Sequence, residues 1–474
     1  MKKLYFLLFS VTLLVFSCSK ESPLDYGLGP DQYAINDAFK ASCPVIKVYP
    51  GDDLAAAFEL AKTAGRRSVV KLMPGVFNIG WTEVHEFYGT LTGSGQGVSI
   101  ITNLPDLDPA ELTSLHKLPA LIAFIGGDVT VSNISVQLTE MPWLGLNESP
   151  NMSMLLFSDY SADFMPAKKN ISVNLNNLEV KGLQFEYTVY NVHGAKFSPD
   201  HVMTGDGVLP RSNIEANVNN CKFANLDYAV YAWGCKSGIF RFGTDGGNSF
   251  SGNSRGIVVN ENLGLNVKIW NNEFDVPWFG DGIDLNTGEA SIGPEFANPL
   301  EVSHADAGFY HIKNNIINAR DGSLAFGLYD GWRIAHPENP TWMKMNWQDN
   351  SFVLTGGSGL GWTYCLKDAL FSKNTISGDN SFLINTFLYW RDAEGLPNNS
   401  SEGCKWLNNH FMSSLYFFLD INVNNYLIVG DLTNVYIDDW GENNKIIGKT
   451  NLNHAKGILN IDGMKENALR KYQK

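Results

Sequence analysis

A chain of 474 residues, 18% of them charged and 12% aromatic, with 45 glycines, has room for several small domains or one large structure of short strands and tight turns. Its formal net charge of −14, with no basic stripe, argues against nucleic acid as a partner. The same charge makes a polyanionic substrate awkward unless cations or a local Arg/Lys cluster offset it.

The amino terminus reads as an export signal. Met1-Lys2-Lys3 is basic, and Leu4 to Phe16 is an apolar run interrupted only by Ser10 and Thr12. That run is too short to span a bilayer as a stable helix. It ends in Val15-Phe16-Ser17-Cys18, which resembles a bacterial lipoprotein processing box. The resemblance implies cleavage before Cys18, acylation of its thiol, and a lipid-anchored place in the cell envelope. The competing reading is an ordinary signal peptide with an incidental cysteine. Residues 1–17 are then the signal, and 18–45 a polar tether and lead-in, with a short helix expected over Asp31 to Phe39. No later stretch is apolar enough to cross a membrane.

Five further cysteines follow: Cys43, Cys221, Cys235, Cys365 and Cys404. An odd number cannot pair completely, and the spacing is not that of a zinc site. They read as small buried residues, with one disulfide such as Cys221 to Cys235 possible but not favoured.

The folded domain is expected over 46–474. Asp52-Asp53 before Leu54 to Ala64, and Gly65 after it, predict a capped helix. A strand over Ser68 to Leu72, a turn at Met73-Pro74-Gly75, and Val76-Phe77 come next.

Beyond these, one phrase recurs: Asn, two residues, then an apolar residue. It ends on Val136, Val180, Phe223, Phe274, Ile317 and Phe411, with a tighter form ending on Phe250, Phe352 and Ile376. Phe250 to Phe274 and Phe352 to Ile376 are each 24 residues, enough for three short strands and three turns. The longer intervals fit one coil plus a loop, or two coils. Alternation such as Asn266 to Trp270 has the period of strands. Stacked coils lie about 4.8 Å apart, so Asn at one register can form a ladder of side-chain amides. Regular hairpin signals are missing, which disfavours a β-sandwich or propeller. The fold class is all-β, a parallel β-helix whose coils complete one another's core.

The order helix, strand, Met73-Pro74-Gly75, Gly93-Ser94-Gly95, Ser99 to Ile101 resembles the opening of pectin lyase-like proteins. The resemblance implies a single-stranded right-handed parallel β-helix with an N-terminal capping helix and loop insertions. Many members act on uronate polymers, so it also implies polysaccharide as the partner class.

One strand per coil follows the Asn phrase: Ala229–Trp233, Gly256–Asn260, Gly282–Asn286, 323–329, 359–364 and 381–387. Alternation places Ile257, Val259, Ile283 and Leu285 inside. Val258, Asn260, Asp284 and Asn286 then face out, with Asp281, Arg255 and Arg320 in nearby turns. Gly280 to Asp284 resembles the Asp-bearing strand of polygalacturonase-type glycosidases, although that family's other phrases are absent. A hydrolase needs two carboxylates, which Asp281 and Asp284 could supply. A lyase needs a base and a cation beside the substrate carboxylate. Arg255, Arg320 or Arg333 could serve as base or clamp, and Asp281, Asp284 and Glu261 could hold Ca²⁺. Asn260, Asn286, Tyr329, Trp332 and Arg333 are candidate sugar-binding residues. Trp342 and Trp347 add possible stacking surfaces. Tyr187, Tyr190 and His193 precede a second expected insertion, Lys196 to Arg211. The bland alternatives are an Asp281-Gly282 turn, structural arginines and tryptophans packed against the coils. Function therefore divides into an envelope enzyme acting on polysaccharide, as lyase or hydrolase, and a non-catalytic glycan-binding or structural surface protein.

Overall fold

The structure, a computed structural model, describes residues 43–107, 120–139, 152–159, 170–185, 188–189, 192–199, 213–235, 238–260, 262, 264–276, 281–287, 308–330, 344–364, 366–379, 381–385, 401–419 and 423–449. At 184–185, 188–189, 260, 281–287, 329–330, 362, 364 and 382–385 the description is of backbone alone. Cys18 and the residues before it lie outside the described residues, as does the expected helix at 31–39.

Three long sheets, of 14, 11 and 12 strands, take one strand each from successive coils. In the order the chain visits them we call them sheets 1, 2 and 3. Every neighbouring pair within them is parallel, as at Asn266–Trp270 beside Phe309–Lys313. Connections between parallel strands take the right-handed sense, and the fold is a right-handed parallel β-helix.

Sheet 2 reproduces the repeat. Val136, Val180, Phe223, Phe250, Phe274, Ile317, Phe352, Ile376 and Phe411 stand opposite one another in unbroken succession. The 43- and 44-residue intervals are thus single coils with long insertions. Phe223, Phe250 and Phe274 stack face to face, with centroids 5.3 and 4.6 Å apart.

The two asparagines of the phrase have separate duties. The first, as at Asn271, Asn314 and Asn408, takes a left-handed turn conformation with φ of 53–58°. Asparagine tolerates this better than other side chains. The second builds the ladder. Nδ2 of Asn248, Asn272, Asn315, Asn350 and Asn374 donates to Oδ1 of the asparagine one coil on, at 2.8–3.0 Å, ending at Asn409. The backbone N–H of each donor residue reaches the same oxygen. Each Nδ2 also donates to a main-chain carbonyl of the preceding coil. All six asparagines are buried. Cys221 occupies the next place up the column, where its N–H donates to Asn248 Oδ1 at 2.9 Å.

The helix Leu54–Ala64 begins at Asp53, whose carboxylate accepts from the Ala56 N–H at 3.1 Å. It ends at Gly65, with φ of 117°. Leu54, Ala57, Phe58 and Ala61 are its buried residues. The Phe58 ring meets Phe87 and Phe124 edge-on at 5.1 and 5.7 Å, and the column continues through Phe157 and Phe197. The first coil would otherwise present an open apolar end, and the helix covers it.

Cys221, Cys235 and Cys404 are free buried thiols, so no Cys221–Cys235 bridge forms. Burial pushes the Cys221 thiol up to about 12, which makes it inert at neutral pH. Cys43 is in a disulfide whose partner lies outside the described residues. Among the described residues no helix is long and apolar enough to cross a membrane.

Candidate functional site

Sheet 3 breaks the strict alternation of a strand at one place in a run of successive coils, from the strand Ala120–Ile125 to the strand Gly359–Tyr364. Leu121 and Ile122, Met154 and Leu155, and Ala229 and Val230 are consecutive pairs that both belong to the core. The pairing register skips one step there, as between Tyr228↔Arg255 and Val230↔Ile257. The kink turns the residue before each pair outward. It joins the residue three positions later on the outer face. Small residues make room for the kink: a Cβ on Gly194 would lie 2.4 Å from the Ala229 carbonyl oxygen.

The outer face changes character along the stack. In the early coils it carries Ala120, Ala123, Ile125 and Leu156, a buried apolar cluster separate from the main core. From the strand Val192–Phe197 to the strand Asp281–Thr287 it is mostly polar, and Leu324 and Gly327 follow at the same register. His193 stands opposite Tyr228, which stands opposite Arg255, which stands opposite Asp281. The parallel column runs Lys196, Tyr231, Val258, Asp284.

The side chains of the first three coils interlock. The His193 ring stacks on Tyr228 at 5.0 Å and meets Tyr231 edge-on at 5.1 Å. The two tyrosine rings are 4.9 Å apart. Lys196 Nζ lies over the rings of Tyr231 and Trp233, at 5.6 and 5.8 Å. The Arg255 guanidinium lies over the Tyr228 ring and donates to its hydroxyl oxygen. His193 and Lys196 are buried, a costly state for such groups. Tyr228, Tyr231, Trp233 and Arg255 are half-buried and form the rim. A base, two phenols and two cations thus share one surface of three coils.

Asp227 immediately precedes the strand Tyr228–Trp233. Loss of hydration raises its carboxyl above the ordinary 3.8, against the opposing pull of Arg255 and a hydrogen bond from Ser254. The folded state therefore holds that proton more tightly than the unfolded chain does. Stability is expected to fall as pH rises from near 4 through the raised value. Asp227→Asn should remove that slope, which a series of melting temperatures against pH would reveal; an unchanged slope would exclude Asp227 as its source.

Of the residues expected from sequence, Arg255 joins the cluster, as the first residue of a strand rather than in a turn. Asn260 follows opposite Trp233, and Asn286 is opposite Tyr329. Asp281 and Asp284 occupy the next rung. For Asn260, Asp281, Asp284, Asn286 and Tyr329 these are backbone positions, their side chains lying outside the description. Ile257 and Val259 are core residues, and Val258 faces out yet is buried. Glu261, Trp332, Arg333 and Trp342 lie outside the described residues. Among the described residues no group of three His, Cys, Asp or Glu is placed to hold a metal ion.

Arg320 lies in the turn entering the strand Leu324–Asp330. Its Nε and Nη2 donate to the two oxygens of Asp275, at 2.9 and 3.1 Å, one coil back. Both partners are about half exposed. Arg320→Gln should therefore cost only about 0.5 kcal/mol of stability and leave any turnover unchanged. A large loss of activity would return Arg320 to the site. Trp347 corrects the stacking expectation, since it is wholly buried in the core between Phe326 and Phe371. Lys196 and Phe197, expected to open an insertion, complete a strand instead.

No family model matches the chain, and no curated protein does. Among solved structures it is similar to the Azotobacter vinelandii mannuronan C-5 epimerase AlgE4 A-module, at 12% identity and a TM-score of 0.47, over 85% of this chain and 93% of that one. A Yersinia enterocolitica family 28 exopolygalacturonase follows at 12% identity and 0.42, over 86% and 79%. The catalytic unit of a GH87 alpha-1,3-glucanase from Streptomyces thermodiastaticus gives 12% and 0.33, over 85% and 68%. At these identities the likeness is one of fold alone.

Proposed function

We propose that the chain is an enzyme of acidic polysaccharide, breaking uronate linkages by β-elimination on the outer face of sheet 3. The observation that carries this reading is the juxtaposition of His193, Tyr228, Tyr231, Lys196 and Arg255. Lys196 and Arg255 supply the local positive charge that a polyanion needs on a protein with net charge −14. They neutralise the uronate carboxylate, which acidifies the adjacent C5–H. His193 removes that proton. The electron pair forms the C4–C5 double bond, the C4–O bond breaks, and Tyr228 gives its proton to the leaving oxygen. The aromatic rim offers faces for sugar rings. Asp281, Asp284, Asn260, Asn286 and Tyr329 extend the candidate surface by strand register, and Trp332 and Arg333 are further candidates from the sequence. A Ca²⁺ ion held by Asp281, Asp284 and Glu261 is part of the proposal, and a chelator titration tests it.

The decisive experiment is a screen of acidic and neutral polysaccharides for a new ultraviolet-absorbing product. Unsaturated ends from an acidic polymer support the proposal. Reducing ends without that absorbance would favour hydrolysis by Asp281 and Asp284. Binding with neither product would favour a non-catalytic glycan-binding protein. We also propose that Cys18 is acylated and anchors the chain in the cell envelope. Incorporation of labelled fatty acid, lost in Cys18→Ala, tests that separately.

A further inference from the structure

A second polar column runs along the outer face of sheet 1, where Asn217, Arg241, Lys268, His311 and Asn346 stand opposite one another in consecutive coils. Beside it Trp270 stands opposite Lys313. The charge on this strip is positive in a chain whose net charge is −14. Among the described residues no ion pair engages Arg241, Lys268 or Lys313. Arg241 instead donates to Asn217 Oδ1 at 3.1 Å, and Lys268 Nζ lies over the Trp270 ring at 5.2 Å. The upper end opens into a cleft of about 500 Å³ lined by Asn174, Asn217 and Arg241, with Asp245 at its side.

The centre of the strip also holds polar atoms without hydrogen-bond partners. Trp270 Nε1, His311 Nε2 and Asn346 Oδ1 are shielded from water and unsatisfied. The Trp270 and His311 rings meet edge-on at 5.3 Å. Leaving such groups unpaired is costly, and a ligand bound beside them would supply the missing partners. Long lysine side chains can swing aside at small cost and admit one.

We infer that this strip is a second glycan-binding surface, one that holds a carboxylate-bearing polysaccharide chain without reacting with it. Charge complementarity selects an acidic chain, and Trp270 with Phe309 supplies apolar contact for sugar rings. The coil spacing of about 4.8 Å is close to the length of one sugar in an extended pyranose chain. A chain lying along the stack therefore keeps its sugars in step with the coils. The inference rests on the proposed acidic substrate class and adds a holding site for long polymers on a different sheet. Burial, Lys313 and Lys268 together depress the His311 imidazole. The imidazole is thus biased toward its neutral form, and an arriving carboxylate would favour its protonation.

The test is the double variant Lys268→Ala, Lys313→Ala in the full chain. The probes are sodium polygalacturonate and sodium polymannuronate, with a neutral glucan and phosphatidylglycerol vesicles as controls. Affinity for at least one acidic polymer is expected to fall about five- to tenfold, while turnover of a uronate trisaccharide stays unchanged. Unchanged polymer affinity in the variant would overturn the inference. So would absence of acidic-polymer binding by the native chain, or retention by the vesicles alone. If His193→Gln leaves turnover intact while the double variant weakens polymer binding, the reaction site is misplaced and the holding surface stands.

Discussion

His193→Gln is expected to lower kcat on an acidic polysaccharide by a factor of about 10² to 10⁴, the usual contribution of a general base. KM should change little, because the cations that hold the substrate carboxylate are Lys196 and Arg255. The buried His193 ring packs between Tyr228 and Tyr231, so the variant must be shown to keep its melting temperature. Glutamine retains much of the volume and hydrogen-bonding capacity while losing the titratable nitrogen. Lys196→Met offers the complementary split. It keeps the apolar stem over the tyrosine and tryptophan rings and removes the charge, so KM should rise along with the loss in kcat. Equal activity of native chain and His193→Gln, on a substrate the native chain cleaves, would remove the base from the mechanism.

The second large effect concerns stability. Asn315→Ala should destabilise the fold by about 3–5 kcal/mol, measurable by denaturant unfolding. Asn315 Oδ1 accepts from both the N–H and the Nδ2 of Asn272. Its own Nδ2 donates to Ile269 O and to Asn350 Oδ1. Truncation therefore strands several buried partners at once, each at a cost of about 1–3 kcal/mol, offset in part where a second bond survives. An exposed turn asparagine such as Asn314 provides the contrast, and its replacement by Gly should be nearly neutral. A loss at Asn315 no greater than that at Asn314 would mean that the ladder contributes little.

Much of the fold could be read from the chain because a coiled stack converts vertical contact into recurrence. The apolar residue ending each Asn phrase aligned with its neighbour in every coil, even across insertions of twenty residues or so. The capping helix was equally legible, since Asp53 and Gly65 bracket a clean apolar stripe. In the sequence the ladder belongs to the phrase as a whole. Only the structure separates the turn-forming first asparagine from the buried, laddering second.

The site was read less well, for a definite reason. Period-two alternation counted back from Ile257 and Val259 would place Arg255 inside, and from Ala195 and Phe197 it would bury His193 in the core. The kink with two consecutive inward residues reverses both. A sign of it was present: Gly194-Ala195, Ala229-Val230 and Gly256-Ile257 each set a small residue just after His193, Tyr228 and Arg255. A row of small residues beside a row of ring-bearing and cationic ones marks the bend. Trp347 misled in the opposite way. It looked like part of a solvent-facing insertion, but it belongs to the strand Lys344–Gln348 and its parity points inward.

The amide ladder spans only the coils from Asn248 to Asn409, and above it the same column holds Cys221, Leu178 and Ile134, all buried. The amino-terminal coils do share amide bonds, such as Asn177 Nδ2 to Asn133 Oδ1 at 2.7 Å, but these are only part-buried or exposed. The amino-terminal coils depend more on apolar burial, which weakens on cooling, whereas the later coils add a buried chain of amide hydrogen bonds. Chilling should loosen the molecule from its capped end first, so that backbone amides around Val131 and Val173 exchange with solvent ahead of those around Ile312 and Trp347.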